Sequence, residues 1–228
     1  MGKILGSVVQ RIGIFGGTFN PVHSGHVRAA AEVRARFALD RVLFVPSFIP
    51  PHKETADIAS PRDRMAMVGL ALRRYRRLVA SPIEIEAGGT SYSIVTLAEI
   101  GALHPGARIF FILGADAFRD IETWREWRRV LAACRFIVTT RPGSRMAEAR
   151  DALAEEYRSG VFEVRPAARL GEAVLDAFRI FLTPIDAVDV SSTEVRALVR
   201  AGRPLRGLVP AAVEGYIREH GLYREPTS

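Results

Sequence analysis

Residues 11–28 read RIGIFGGTFNPVHSGHVR, and the succession of residue types in that run decides the fold. Ile12, Ile14 and Phe15 form a short apolar run, Gly16-Gly17 turns it, and His23 and His26 flank Ser24-Gly25 where a helical pattern begins. The run is therefore a strand, a glycine turn and a helix start. Paired glycines let the backbone approach a ligand closely, a helix N-terminus presents unpaired N–H groups to an anion, and two imidazoles add donors in the same place. Taken singly, the glycines are also what a tight turn shows and the histidines what a cap shows. Together they read as a phosphate-binding and phosphoryl-handling site. The run is neither G-x-G-x-x-G nor G-x-x-x-x-G-K-[ST], the two phosphate loops with a defined mechanism.

Working outward, strands alternate with helices. Ser24 is expected to cap a helix whose Val27, Ala30, Ala31 and Phe37 share one apolar face, and 41–45 reads as a buried strand. Residues 46–60, PSFIPPHKETADIAS, lack periodicity and carry prolines, which marks a loop. Ser60-Pro61-Arg62-Asp63 then starts a helix with Met65, Val68 and Leu72 on its buried face. Strands are expected at 78–85, 108–113, 135–139, 161–164 and 180–182. Helices are expected at 93–103, at 147–158, from a capping box at Thr123–Glu126 through about Ala132, from a second box at Ser191–Glu194 to Gly202, and at 210–220. Residues 170–178 are ambiguous. The alternation predicts an α/β fold, a doubly wound parallel sheet, whose ligands sit beyond the carboxyl ends of the strands. The chain reads as a single domain over 1–228, with about 184–228 as a small C-terminal helical subdomain.

At 228 residues, 48% hydrophobic and 25% charged, the composition is that of a globular domain. No apolar run approaches the roughly 20 residues of a membrane span, and the start is too short and too polar for a secretory signal, so a cytoplasmic protein is expected. The single cysteine, Cys134, excludes an internal disulfide and a multi-cysteine zinc site. A net charge of +7, carried almost wholly by arginine, suits phosphorylated metabolites or nucleic acid. No basic stripe with interleaved aromatics supports nucleic acid, which stays the minority reading. Oligomeric state is left open, a homo-oligomer included.

The run GGTFNPVHSGH resembles the (T/H)-x-G-H signature of the nucleotidyltransferase superfamily, and its fuller form is similar to that of bacterial nicotinate-nucleotide adenylyltransferases. The resemblance extends over most of the chain. It includes Pro50-Pro51-His52-Lys53, Ser91-Tyr92-Ser93, Gly114-Ala115-Asp116 with Trp124, Arg141-Pro142-Gly143, Ser191-Ser192-Thr193 with Arg196, and the ending Tyr216-Ile217, Leu222-Tyr223. The family's usual run has Asp where this chain has Asn20, which keeps an acceptor oxygen and loses the charge.

What the resemblance implies is a Rossmann-like nucleotidyltransferase that joins ATP and nicotinate mononucleotide, in NAD biosynthesis. Magnesium arrives with ATP, and no metal site belongs to the protein itself. Catalytic roles fall on His23, His26, Lys53 and Arg196. The ATP side comprises Gly16, Gly17, Thr18 and Phe19 with the two histidines, then Gly114 and Asp116, then Ser191, Ser192, Thr193 and Arg196. The acceptor side comprises Lys53, Thr90, Tyr92, Asp116, Trp124, Arg125 and Arg141. The residues themselves suit these tasks. Lys53 is one of two lysines and stands in a proline-rich loop, Arg196 lies in a first helical turn where a bound anion would offset its clash with the dipole, and Trp124 can stack on a flat ring or fill the core beside Trp127.

Overall fold

Strand side chains alternate between two cores, one on each face of a single sheet. Phe15, Val42, Phe44, Phe110, Ile112, Ile137 and Phe181 point to one face, while Ile12, Ile14, Leu43, Val45, Phe111, Leu113, Phe136, Val138 and Leu182 point to the other. Because both faces are covered, the strands read as continuous apolar runs rather than as alternating ones. The computed structural model describes residues 9–51, 57–140, 150, 155–186, 188 and 190–224. Among these, seven strands pair in the order β3-β2-β1-β4-β5-β7-β6. They are β1 (Arg11–Gly17), β2 (Arg41–Pro46), β3 (Leu78–Ala80), β4 (Arg108–Gly114), β5 (Arg135–Thr140), β6 (Val161–Glu163) and β7 (Ile180–Pro184). Every pairing is parallel. The order reverses direction between β1 and β4, which opens a crevice at their carboxyl ends, the usual ligand position in open α/β sheets.

The helices are α1 (Ser24–Arg36), α2 (Pro61–Leu72), α3 (Ile83–Ala87), α4 (Ser93–Leu103), α5 (Ala115–Arg119), α6 (Trp127–Ala133), α7 (Glu155–Arg158), α8 (Glu172–Ala177), α9 (Ser192–Arg200) and α10 (Ala211–Glu219). α8 resolves the ambiguous stretch. α9 ends where Gly202, at φ 64°, lets its own N–H reach the Val199 carbonyl and that of Arg203 reach Leu198, satisfying the last turn. Val195, Leu205, Val209, Val213 and Ile217 from the closing helices and their connection enter the same core as Phe15 and Phe44.

Four expectations change. The strand expected at 78–85 stops at Ala80, since Pro82 has no N–H for the ladder and instead stands before α3. The box at Thr123–Glu126 does not form: the Thr123 hydroxyl donates to the Asp120 carbonyl, Glu126 adopts φ 53°, and α6 starts at Trp127. In α2 it is Met67, not Met65, that is fully buried with Val68 and Leu72. The cap of α1 is His23 rather than Ser24. Of the expected helix at 147–158, only its last turn, α7, lies among the fully described residues.

Candidate active site

The cap of α1 is built from two imidazoles. His23 Nδ1 accepts the backbone N–H of His26 at 3.3 Å, and His26 Nδ1 accepts that of His23 at 3.2 Å. This is a capping box with histidine in both places where Ser and Glu usually stand. A ring nitrogen that accepts an N–H carries its lone pair, so each imidazole is fixed as the Nε2–H tautomer. The rings stack with centroids 3.5 Å apart, and the His26 ring also meets the edges of Phe15 and Phe19. Gly25 between them is required by space: a Cβ there would stand 3.0 Å from the Val188 carbonyl oxygen and 3.1 Å from His23 Nδ1. No acid occupies the first turn of α1, so its positive end is not neutralised from within.

These residues open onto a cavity of about 320 Å³ at the carboxyl ends of β1, β4 and β5. Its lining joins Gly16, His23 and His26 to Gly114 and Asp116, five of the residues singled out in the sequence. Thr139, Thr140, Ile185, Val188 and Val190 also stand in the wall. Sequence reading missed them because small or apolar residues at strand ends carry no chemical signature. Asp116 stands in the first turn of α5, is ion-paired with Arg119, and keeps its side chain 85% exposed. Among the described residues no group of three or more His, Cys, Asp or Glu is placed to hold a metal ion.

The start of α9 docks onto the turn between β1 and α1. Ser191 caps α9 by accepting the Glu194 N–H, Ser192 donates to the Pro21 carbonyl at 2.9 Å, and Arg196 Nη1 donates to the Asn20 carbonyl at 2.8 Å. Arg196 Nη2 also reaches the Thr193 hydroxyl at 3.4 Å. Thr18 and Phe19, buried beside the histidines, complete the turn.

Arg64, wholly buried, is the residue that sequence reading missed most clearly. Its guanidinium donates to the carbonyls of Thr18 at 2.9 Å, Phe48 at 3.0 Å and Ala59 at 2.9 Å, fastening the segment after β1 to both ends of the segment after β2. Burial lowers its pKa, while three carbonyl dipoles and the fixed guanidinium fork hold the charge in place. An arginine among charged residues at a helix start looks like a solvated side chain, so nothing in the sequence marks it. Tyr223 at the end of the chain donates to Asn20 Oδ1, and burial pushes its phenol well above the ordinary range, keeping it a donor.

A second cluster gathers the expected acceptor residues. Ile49 bridges to Thr90, and Ser91 accepts the Phe48 N–H through its hydroxyl at 2.8 Å, which ties the 88–92 turn to the segment after β2. Tyr92 stands at the N-terminus of α4 with the Arg125 guanidinium 4.7 Å over its ring. Trp124 is half-buried and meets Phe111 of β4 edge to face, so part of its surface serves the core. Lys53 and Arg141 lie outside the described residues.

The chain is similar to known proteins. Residues 14–198 match the model of the cytidylyltransferase-like family. A protein of Desulfatibacillum aliphaticivorans, named "probable nicotinate-nucleotide adenylyltransferase", is 41% identical over 94% of this chain and 100% of its own. One of the same name from Geobacter sp. (strain M21) is 42% identical over 94% of this chain and 98% of its own. Among solved structures, Plasmodium falciparum nicotinic acid mononucleotide adenylyltransferase complexed with NaAD shares the fold with a TM-score of 0.67, at 18% identity over 94% of this chain and 97% of that one. The same enzyme complexed with APC gives 0.65 at 17% identity, over the same shares of the two chains.

Proposed function

The chain belongs to the cytidylyltransferase-like family and, within it, to the nicotinate-nucleotide adenylyltransferases, and on that premise we propose how its residues divide the work of the reaction. The enzyme transfers the adenylyl group of ATP to nicotinate mononucleotide, giving deamido-NAD and pyrophosphate. A phosphate oxygen of the mononucleotide forms a bond to the α-phosphorus of ATP while the bond from that phosphorus to the bridging oxygen breaks, and the electron pair leaves on pyrophosphate. An ionised phosphate is already a nucleophile, so no base is needed. Catalysis is positioning and charge stabilisation.

The observation that carries this reading is the pair of imidazoles fixed as Nε2–H donors at the positive end of α1, on the wall of the switch-point cavity. We assign His23 and His26 to the ATP phosphates. Gly16 and Gly17 allow close approach, and Asp116, beside Gly114, accepts from the ribose hydroxyls. The hydroxyls of Ser191, Ser192 and Thr193, with Arg196, take the pyrophosphate end, and Lys53 adds a cation there. Magnesium would be held by the nucleotide's own phosphate oxygens, since the cavity lining offers a single carboxylate, Asp116, already paired with Arg119. The ion would supply charge neutralisation on the phosphates.

For the acceptor, Tyr92 and Trp124 offer aromatic surface to the pyridine ring, and Thr90 and Arg141 are assigned to the same substrate. The nicotinate carboxylate would be met by the N-terminus of α4 and by Arg125, a charge preference a neutral amide does not satisfy. A cytoplasmic place of action belongs to the same proposal. The test is pyrophosphate release with ATP and magnesium, run in parallel on nicotinate mononucleotide, nicotinamide mononucleotide and phosphopantetheine. Strong preference for the first is expected. Preference for either of the others would overturn the roles of Tyr92, Trp124 and Arg125, and release with none would overturn the assignment of the cavity.

A further inference from the structure

Asn20, 5% exposed, sits in the turn between β1 and α1 and bonds to three other parts of the chain. Its Nδ2 donates to the Asp57 carbonyl at 2.8 Å, and its Oδ1 accepts the Ala59 N–H at 3.0 Å and the Tyr223 hydroxyl at 2.9 Å. Its main-chain oxygen accepts from Arg196 at 2.8 Å. One turn further along α9, Arg200 Nη2 bonds the Asp57 carboxylate at 2.8 Å. A closed circuit results: Asn20 to Asp57, Asp57 to Arg200, one helical turn back to Arg196, and Arg196 to Asn20. Residues four apart share a helix face, which is what lets a single helix supply both arginines. Arg196 Nε is buried with no partner among the described residues, so this guanidinium is held by its other nitrogens toward the turn.

An amide is the group this circuit needs. A carboxylate at position 20 would still accept from Ala59 and Tyr223, but its second oxygen would face the Asp57 carbonyl, acceptor against acceptor. The amide of Asn20 is thus matched to its partners, donating on one side and accepting on the other. We propose that Asn20 is a positioning residue for adenylyl transfer. It fixes the start of α9, with Arg196 and the hydroxyls of Ser192 and Thr193, relative to the His23 and His26 rings, so that charge moving onto the departing pyrophosphate meets a cation already in place. The inference rests on the reading of α9 as the pyrophosphate end.

The test measures pyrophosphate release by the full chain, each variant expressed relative to wild type on whichever acceptor the wild type prefers. Asn20→Asp is expected to lower kcat about 10- to 100-fold, as a misplacement near 1 Å does, with the acceptor KM within about twofold. Arg200→Gln, which opens the circuit at Asp57, and Tyr223→Phe, which removes a bond to the Asn20 amide from outside the circuit, are expected to lower kcat about two- to fivefold in the same pattern. Wild-type kcat in a folded Asn20→Asp overturns the proposal. If that variant does not fold, wild-type kcat in both of the others does so. Arg196→Gln separates the two layers: unchanged kcat there refutes α9 as the pyrophosphate end, whereas a crippled Arg196→Gln beside a wild-type Asn20→Asp refutes only the role of Asn20.

Discussion

At the amino ends of the strands, Gln10, Asp40, Arg41, Arg76, Arg77 and Val79 line a cavity of about 780 Å³, while the one at the carboxyl ends measures about 320 Å³. The larger is the more basic. Its arginines, however, are exposed side chains on turns and strand starts, none of them held by a hydrogen bond or ion pair among those found in the described residues. The smaller is bounded by strand ends and a helix start, with His23 in its lining fixed by two bonds, while Asn20 and Arg64, outside the lining, hold the turn after β1 by two or more bonds each. Groups that need no reordering when charge develops are worth more to catalysis than groups that must be collected, so fixed geometry outranks size and net charge in locating the chemistry.

The comparison is broken most directly at His26. His26→Ala removes a donor while His23 can still cap α1, and kcat for pyrophosphate release should fall about 10²- to 10³-fold, with the far-ultraviolet circular dichroism unchanged. Near-normal turnover in the folded variant would take the histidine out of the mechanism. Next comes Arg64→Met, which strands three buried carbonyls and should cost about 3 kcal/mol in urea unfolding at unchanged m-value. A loss under about 0.5 kcal/mol, the range of ordinary surface changes, would show that the two segments hold together without the guanidinium. At the opposite end, Arg76→Gln with Arg77→Gln should change kcat/KM by less than about twofold, as exposed substitutions do. A tenfold loss there would reverse the ranking of the two cavities.

How much of this was legible in the sequence depends on what each residue type must do. β1, β2, β4 and β5 were placed within a residue or two, because strands buried on both faces present unbroken apolar runs that few alternatives imitate. Pro82 and the residues after it were misread because their apolar pattern continues past a break that only the missing N–H imposes. Gly16, His23, His26, Gly114 and Asp116 were found because their types carry chemistry, and the structure brings them to one cavity. Arg64 and Asn20 were not, the first never singled out and the second seen only as a departure from the usual Asp. Apart from the Ala59 carbonyl, 5 residues before Arg64, what they do depends on carbonyls 16 to 46 residues away and on a tyrosine 203 residues away, partners that no local pattern reveals.

The reciprocal imidazole cap of α1 also sets a rule for how this chain can drift. The nitrogens that hold the helix start and the nitrogens proposed to meet the phosphates belong to the same two rings, so few residue types at position 23 or 26 can keep both roles. Asparagine can stand in for Nδ1 and keep the helix, and glutamine reaches farther but forfeits the cap. Histidine offers both, Nδ1 to the backbone and Nε2 to the cavity side, which ties the helix start and the proposed phosphate contact to one residue type.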